Sequence, residues 1–191
     1  MDEIASNGCM TNEKNLIDRT IHGDDDAFAQ LMERYASGVY VLIVRITRNE
    51  EDAEELTQDV LLRVFENLPY FNFKSSFSTW LYRIAYNCAI SFARRKRQPL
   101  YPIEENRLRL VGDDDLERME AASENEQQIE ALTRAINRLD AEERALITLF
   151  YYEQRPIAEC AEIMSQSQSN IKVRLHRIRK KLYILIQNET E

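Results

Sequence analysis

Only four glycines and four prolines interrupt 191 residues, and that scarcity leaves the chain little choice but to be helical. Inside a helix a glycine costs about 1 kcal/mol relative to alanine and a proline about 3, so a chain poor in both and rich in Leu, Ile, Ala, Glu and Arg favours helices over strands. The apolar pattern agrees. Leu16, Ile17, Phe28, Leu31, Met32, Tyr35, Val39, Leu42 and Ile43 recur at spacings of three and four across residues 14–46. A break falls at 22–26, where Asp24, Asp25 or Asp26 can cap the next helix. A second helix spans roughly 50–68 and ends at Pro69, which cannot donate the helical N–H. After a short loop at 70–76, a third helix runs from about 77 to 97.

Composition then shifts. Between residues 98 and 126 lie Pro99, Pro102, Gly112, the run Asp113–Asp115 and many more acids than bases, the marks of a polar linker. Helices resume at about 125–137 and 141–152, the latter with Asp140 and Glu143 placed to form a capping box. Two more, at about 156–164 and 168–187, close the chain. The expected fold is all-α: two small helical domains, 12–97 and 126–187, joined by a flexible acidic linker over 98–125.

Charge is sorted along this frame. The formal net charge is -8, yet residues 71–97 and 165–187 contain no Asp or Glu. The first stretch carries Lys74, Arg83, Arg94, Arg95, Lys96 and Arg97; the second carries Lys172, Arg174, Arg177, Arg179, Lys180 and Lys181. Two basic patches on an acidic chain suit a protein that meets phosphates at two separate places. No apolar run is long enough to cross a bilayer and the first residues lack a signal-peptide pattern, so a cytoplasmic protein without membrane insertion is expected. Cys9, Cys88 and Cys160 are odd in number and form no CxxC, which disfavours a zinc site or a disulfide framework.

The last two helices have the form helix, three-to-four-residue turn, helix. Ile171, Leu175, Ile178, Leu182 and Leu185 form one apolar face of the second, and Ser167 can cap it. Its opposite face holds Ser169, Val173, His176, Arg177 and Lys180, flanked by Lys172, Arg174 and Arg179; Asn170 sits in its first turn. In a helix-turn-helix that end enters the major groove. A solvated basic face on a structural helix is the plainer alternative.

Residues 65–92 hold most of the chain's aromatic side chains, among them Phe71, Phe73, Phe77, Trp80, Tyr82 and Tyr86. Phe77, Tyr82 and Phe92 read as core. Phe71 and Phe73 flank Asn72 in a loop beside Lys74, a combination suited to unpaired bases, which stack on rings while cations meet the backbone. Arg83, Asn87 and Arg94 share a face of the following helix with Trp80 nearby, and an Asn amide can read the edge of an unstacked base.

Glu50, Glu51, Asp52, Glu54, Glu55 and Asp59 crowd the start of the second helix. Part of this is ordinary helix-dipole chemistry. Asp52, Glu55 and Asp59, with Gln58, also share a face that fits a basic partner protein. A nuclease-type metal cluster is the sharper alternative, but no histidine supports it.

The segments DAEELTQDVLLRVFENL (52–68), FSTWLYRIAYN (77–87) and ARRKR (93–97) resemble the second conserved region of bacterial sigma factors, and residues 136–182 resemble the fourth. With no other helical segment between them, the pattern is similar to the extracytoplasmic-function (ECF) group. That resemblance implies a transcription initiation factor that binds core RNA polymerase and directs promoter recognition and melting. It implies docking of Asp52, Glu55, Gln58 and Asp59 on the polymerase, with capture of flipped minus-ten bases by Phe71, Lys74, Trp80, Arg83, Asn87 and Arg94. Duplex reading of the minus-thirty-five element falls to Ser169, Asn170, Lys172, Val173, Arg174 and Arg177. It further implies an anti-sigma partner, no cofactor or metal, and no catalytic residue, because the polymerase performs the chemistry. Two departures stand out: Pro156 replaces the usual Ser or Thr cap of the first helix-turn-helix helix, and the turn SQSQSN lacks a Pro-x-Gly-Thr start. A free-standing helix-turn-helix regulator is the alternative reading.

Overall fold

A computed structural model describes residues 3–96, 103–121 and 126–190. Among these are eleven α-helices and no strand: α1 (Glu3–Ile21), α2 (Asp25–Glu33), α3 (Ala36–Thr47), α4 (Glu50–Asn67), α5 (Phe77–Arg95), α6 (Glu105–Leu110), α7 (Asp113–Ala121), α8 (Glu126–Asn137), α9 (Ala141–Ile147), α10 (Ile157–Ile163) and α11 (Gln168–Thr190). A 3-10 turn, Leu68–Tyr70, follows α4, and a π-helical turn, Thr148–Tyr152, extends α9.

The ends are set by the capping chemistry expected from the sequence. The Asp24 carboxylate accepts from the Ala27 amide at 3.0 Å. Asp140 accepts from the Glu143 amide at 2.8 Å while Glu143 accepts from the Asp140 amide at 3.2 Å; such a box contributes about 1 kcal/mol. Ser167 Oγ accepts from the Asn170 amide at 3.2 Å at the start of α11. Pro156, by contrast, caps α10 with no side-chain bond.

α3 is the axis of the N-terminal bundle. Val39, Leu42, Ile43 and Ile46 are fully buried between α4, α5 and the chain that precedes them. In the C-terminal half, Leu146, Leu149, Cys160, Ile163, Ile171 and Leu175 pack α9, α10 and α11 together. The turn into α11 closes on Ser165 in the left-handed region at φ 55°. The Gln166 amide bonds Ala161 O at 2.8 Å and the Ser165 amide bonds Glu162 O at 3.2 Å, a Schellman arrangement in which serine occupies the position that usually takes glycine.

The two helical halves pack together: their apolar residues form one continuous core, with α9 against α3 and α10 against α5. The expected flexible linker is partly folded. α6 and α7 bury Leu108, Val111 and Leu116 against Tyr183 and Ile184 of α11, so three apolar residues outweigh the polar composition around them. Arg97 and the linker residues 98–102 and 122–125 lie outside the described residues.

Candidate nucleic-acid and polymerase interfaces

Helix α11, expected to read duplex, is held by Ile171, Leu175, Ile178, Leu182 and Leu185 on its buried face. Ser169, Asn170, Lys172, Val173, His176 and Arg177 are exposed on the other. Val173 is the most telling, since a branched apolar side chain 64 % exposed has no core to serve and suits contact with a base edge. Arg174 differs from its neighbours. It is half-buried and pairs with Glu142 at 3.3 Å. Arg179 donates to the Tyr151 hydroxyl at 2.8 Å, and Lys181 pairs with buried Glu143.

In the aromatic loop the structure separates two phenylalanines whose rings the sequence reading treats alike as suited to unpaired bases. Phe71 is only 8 % exposed and packs edge-on to Phe77 at 5.8 Å and against Trp80 at 5.2 Å. It belongs to the core, so the expectation that its ring stacks on a base does not hold. The exposed ring is Phe73, 49 % accessible, resting on Phe71 at 4.7 Å with Lys14 Nζ 5.6 Å from its centre. Phe73 also has φ 56°, a conformation that costs a bulky residue about 1–2 kcal/mol. Sequence could not distinguish the rings, because both sit in a short loop; only the backbone decides which one turns outward. Lys74 and Asn87 are exposed and Trp80 is half-buried. Arg83 lies 3.8 Å from Glu162 of α10, and Arg94 pairs with Glu142 at 2.9 Å.

Glu142 therefore holds one arginine from each basic stretch. Around it the two halves are joined by two further arginines, Arg144 and Arg155. Arg144 is 2 % exposed. Its Nε donates to Arg45 O at 2.7 Å, its Nη2 to Ile46 O at 2.8 Å and its Nη1 to Leu139 O. It thereby satisfies carbonyls at the end of α3 that have no partner within the helix. Burial, with Arg48 nearby, pushes the Arg144 guanidinium down to about 10. Arg155 donates to Ser78 Oγ at 3.2 Å and lies 4.0 Å from the centre of the Tyr82 ring.

The acidic face of α4 divides into exposed and covered residues. Glu55, Gln58 and Asp59 are exposed. Asp52 is not: its side chain is 18 % accessible and accepts two bonds from Lys96 Nζ at 2.7 and 2.8 Å, because α5 returns alongside α4 and brings its last turn back to the start of that helix. The same face continues into Leu62, 57 % exposed. Leu62 lies four residues after Gln58 and three after Asp59, off the apolar stripe of Val60 and Val64. That offset was the signal in the sequence, unread because leucine in a helix is ordinarily assigned to the core.

No group of three or more His, Cys, Asp or Glu among the described residues could hold a metal ion, so the carboxylates of α4 have no metal-binding geometry there. No described helix is long and apolar enough to cross a membrane.

Two family models match the chain in order: "Sigma-70 region 2" over residues 31–98 and "Sigma-70, region 4" over 129–182. The chain is 30% identical over 177 residues to the ECF RNA polymerase sigma factor SigW of Bacillus subtilis, covering 88% of this chain and 94% of that one. It is 27% identical over 174 residues to the RNA polymerase sigma-H factor of Pseudomonas aeruginosa, covering 88% and 90%. In fold it is similar to CnrH, solved in complex with the cytosolic domain of CnrY, with a TM-score of 0.65 and 21% identity over 93% of this chain and 98% of that one. It is also similar to the Bartonella quintana sigma factor RpoE, solved with the anti-sigma factor NepR, with a TM-score of 0.61 and 20% identity over 84% and 96%.

Proposed function

The chain belongs to the ECF group of RNA polymerase sigma factors, and from that premise we propose how its surfaces divide the work of promoter-specific initiation. Core RNA polymerase docks on the α4 face of Glu55, Gln58 and Asp59, with Leu62 as its apolar centre and Asp52 as a support beneath it. Acids around an exposed leucine favour a basic partner with an apolar groove. The loop at 70–76 and α5 take the melted minus-ten strand: Phe73 offers the stacking ring, Lys74, Arg83 and Arg94 meet the backbone, and Asn87 reads a base edge. Trp80 and Phe71 position that loop from below. The α11 ridge of Ser169, Asn170, Lys172, Val173 and Arg177, with Arg174, reads the minus-thirty-five duplex in the major groove. The phosphoryl chemistry belongs to the polymerase, and the work is done in the cytoplasm where the polymerase is found. The solved RpoE, captured with the anti-sigma factor NepR, motivates an anti-sigma partner for this chain as well.

The observation that carries this reading is the exposed Val173 ridge and the exposed Phe73 loop on one chain, a duplex surface and a single-strand surface together. Their two targets are separated by about 25 base pairs, roughly 85 Å of B-form DNA at 3.4 Å per step. A compact chain of this length has a radius of gyration of about 16 Å. The halves must therefore part for both elements to be held at once, which releases Arg94 of the N-terminal half from Glu142 of the C-terminal half.

Run-off transcription with core polymerase on a library of random promoters tests the proposal. Transcripts that begin downstream of one shared two-part motif, only when this protein is present, are the expected result. Folded protein that neither binds core nor stimulates transcription would leave the free-standing DNA-binding regulator as the account.

A further inference from the structure

We propose that the acidic helix α7 is an internal competitor for duplex DNA, anchored along the reading face of α11. The inference rests on the assignment of α11 as the duplex reader. Val173, His176 and Lys180 lie along one stripe of that helix, and Tyr183 and Ile184 continue the stripe toward its end at spacings of seven and eleven. It is on this continuation that the linker is seated: Leu108, Val111 and Leu116 are 4 %, 6 % and 5 % exposed and pack with Ile184 and Tyr183. A polar linker that hides three apolar residues on one helix is docked there, since their burial offsets the entropy of ordering a short segment.

The anchor sets the position of the acids. Gly112 N donates to Asp115 Oδ2 at 3.0 Å at the start of α7, and Asp113 Oδ1 lies 3.7 Å from His176 Nε2. Asp113 and Asp114 are exposed and so stand at the border of the basic ridge, where phosphates would otherwise approach. At the far end, Arg107 Nη2 donates to Asn188 Oδ1 at 2.8 Å and holds α6 to the last turns of α11. A duplex on the ridge meets two negative charges at its edge, and the linker must shift for the groove to seat fully.

The test uses the full chain and a short random-sequence duplex at low salt, read by fluorescence anisotropy. Asp113→Asn with Asp114→Asn is expected to tighten binding about fivefold, the size for two exposed charges. Glu50→Gln with Glu51→Gln makes the same change in net charge on α4, outside the linker, and is expected to leave affinity unchanged. Leu116→Glu, which undocks the helix, is expected to tighten binding and to strip hydrogen-exchange protection from residues 105–121. Lys172→Ala is expected to weaken binding in every background. Equal affinity of the wild type, the Asp113/Asp114 variant and the Leu116 variant, with Lys172→Ala still weakening, would overturn the competitor alone. No effect of Lys172→Ala would overturn the duplex reading of α11 along with it.

Discussion

The Tyr82 hydroxyl on α5 donates a 2.5 Å hydrogen bond to the Glu153 carboxylate, tying the N-terminal half of the molecule to the C-terminal half. Gly38 on α3 gives that bond its room. A Cβ there would stand 2.0 Å from Tyr82 Oη and 2.9 Å from Glu153 Oε2, so the absence of a side chain at one helical position permits the two halves to close at this point.

Gly38→Ala is accordingly expected to break the bond rather than strengthen the helix. The usual gain of about 1 kcal/mol from replacing a helical glycine is overridden by overpacking of about 1–3 kcal/mol. Small-angle scattering is expected to show a larger radius of gyration than wild type, with a lower melting point. An unchanged radius would show that the closure does not depend on this contact.

Arg144→Met keeps much of the side-chain volume and removes the donors to Arg45 O, Ile46 O and Leu139 O. Leaving buried carbonyls unmet is expected to cost about 3 kcal/mol, a fall in melting temperature of roughly 6–12 °C for a chain of this size. Denaturant unfolding with an unchanged midpoint would count against it.

Glu142→Gln separates stability from function. Its partner Arg94 is open to solvent and its partner Arg174 is half-buried, so the loss of stability is expected to be about 1 kcal/mol. Both arginines are released by the change, and nonspecific duplex affinity is expected to rise. Calorimetry and anisotropy on the same protein check the two parts.

For the polymerase face, Asp59→Arg with Leu62→Asp is expected to abolish capture by core polymerase while circular dichroism stays at wild type, because both side chains face solvent. Asp52→Arg is expected to behave differently. It removes the partner of Lys96 and perturbs the junction of α4 with α5, so its effect on binding comes with a fall in stability. Core affinity undiminished in the Asp59/Leu62 variant would refute the docking surface.

Alkaline pH is expected to loosen the closed form. Burial, with Glu142 nearby, pushes the Tyr86 phenol up to about 12 from the usual 10.0. Burial and the Glu153 carboxylate push Tyr82 higher still, and burial pushes the Cys160 thiol from 9.0 to about 11. The unfolded chain releases these protons before the folded one does, so these three groups make stability fall as pH rises; Arg144, lowered to about 10 in the folded state, contributes the opposite sign above that pH, and the three raised groups together outweigh it. The loss begins near pH 9 with Cys160, grows above pH 10 with the tyrosines and continues to about pH 12. Unfolding midpoints across this range, paired with tyrosinate absorbance, measure it. A midpoint independent of pH there would exclude the linkage.

Much of this protein was written locally. The helices, the caps at Asp24, Asp140 and Ser167, the apolar face of α11 and the two acid-free stretches depend on neighbours within a turn or two. Spacing and residue type therefore determined them, and the order of the two sigma regions with them. What tertiary structure decided is which of those local features remain available. Phe71 and Phe73 have the same chemistry, but the packing of Phe77 and Trp80 drew one inward and left a left-handed backbone to turn the other out. Asp52 and Asp59 lie on one helix, yet only the return of α5 brought Lys96 to the former. Closure of the halves buried Arg144 and joined Arg94 to Arg174 through Glu142, and three apolar residues folded an acidic linker onto α11. Such contacts join residues dozens of positions apart, and their free energy depends on surfaces that exist only once the chain has folded.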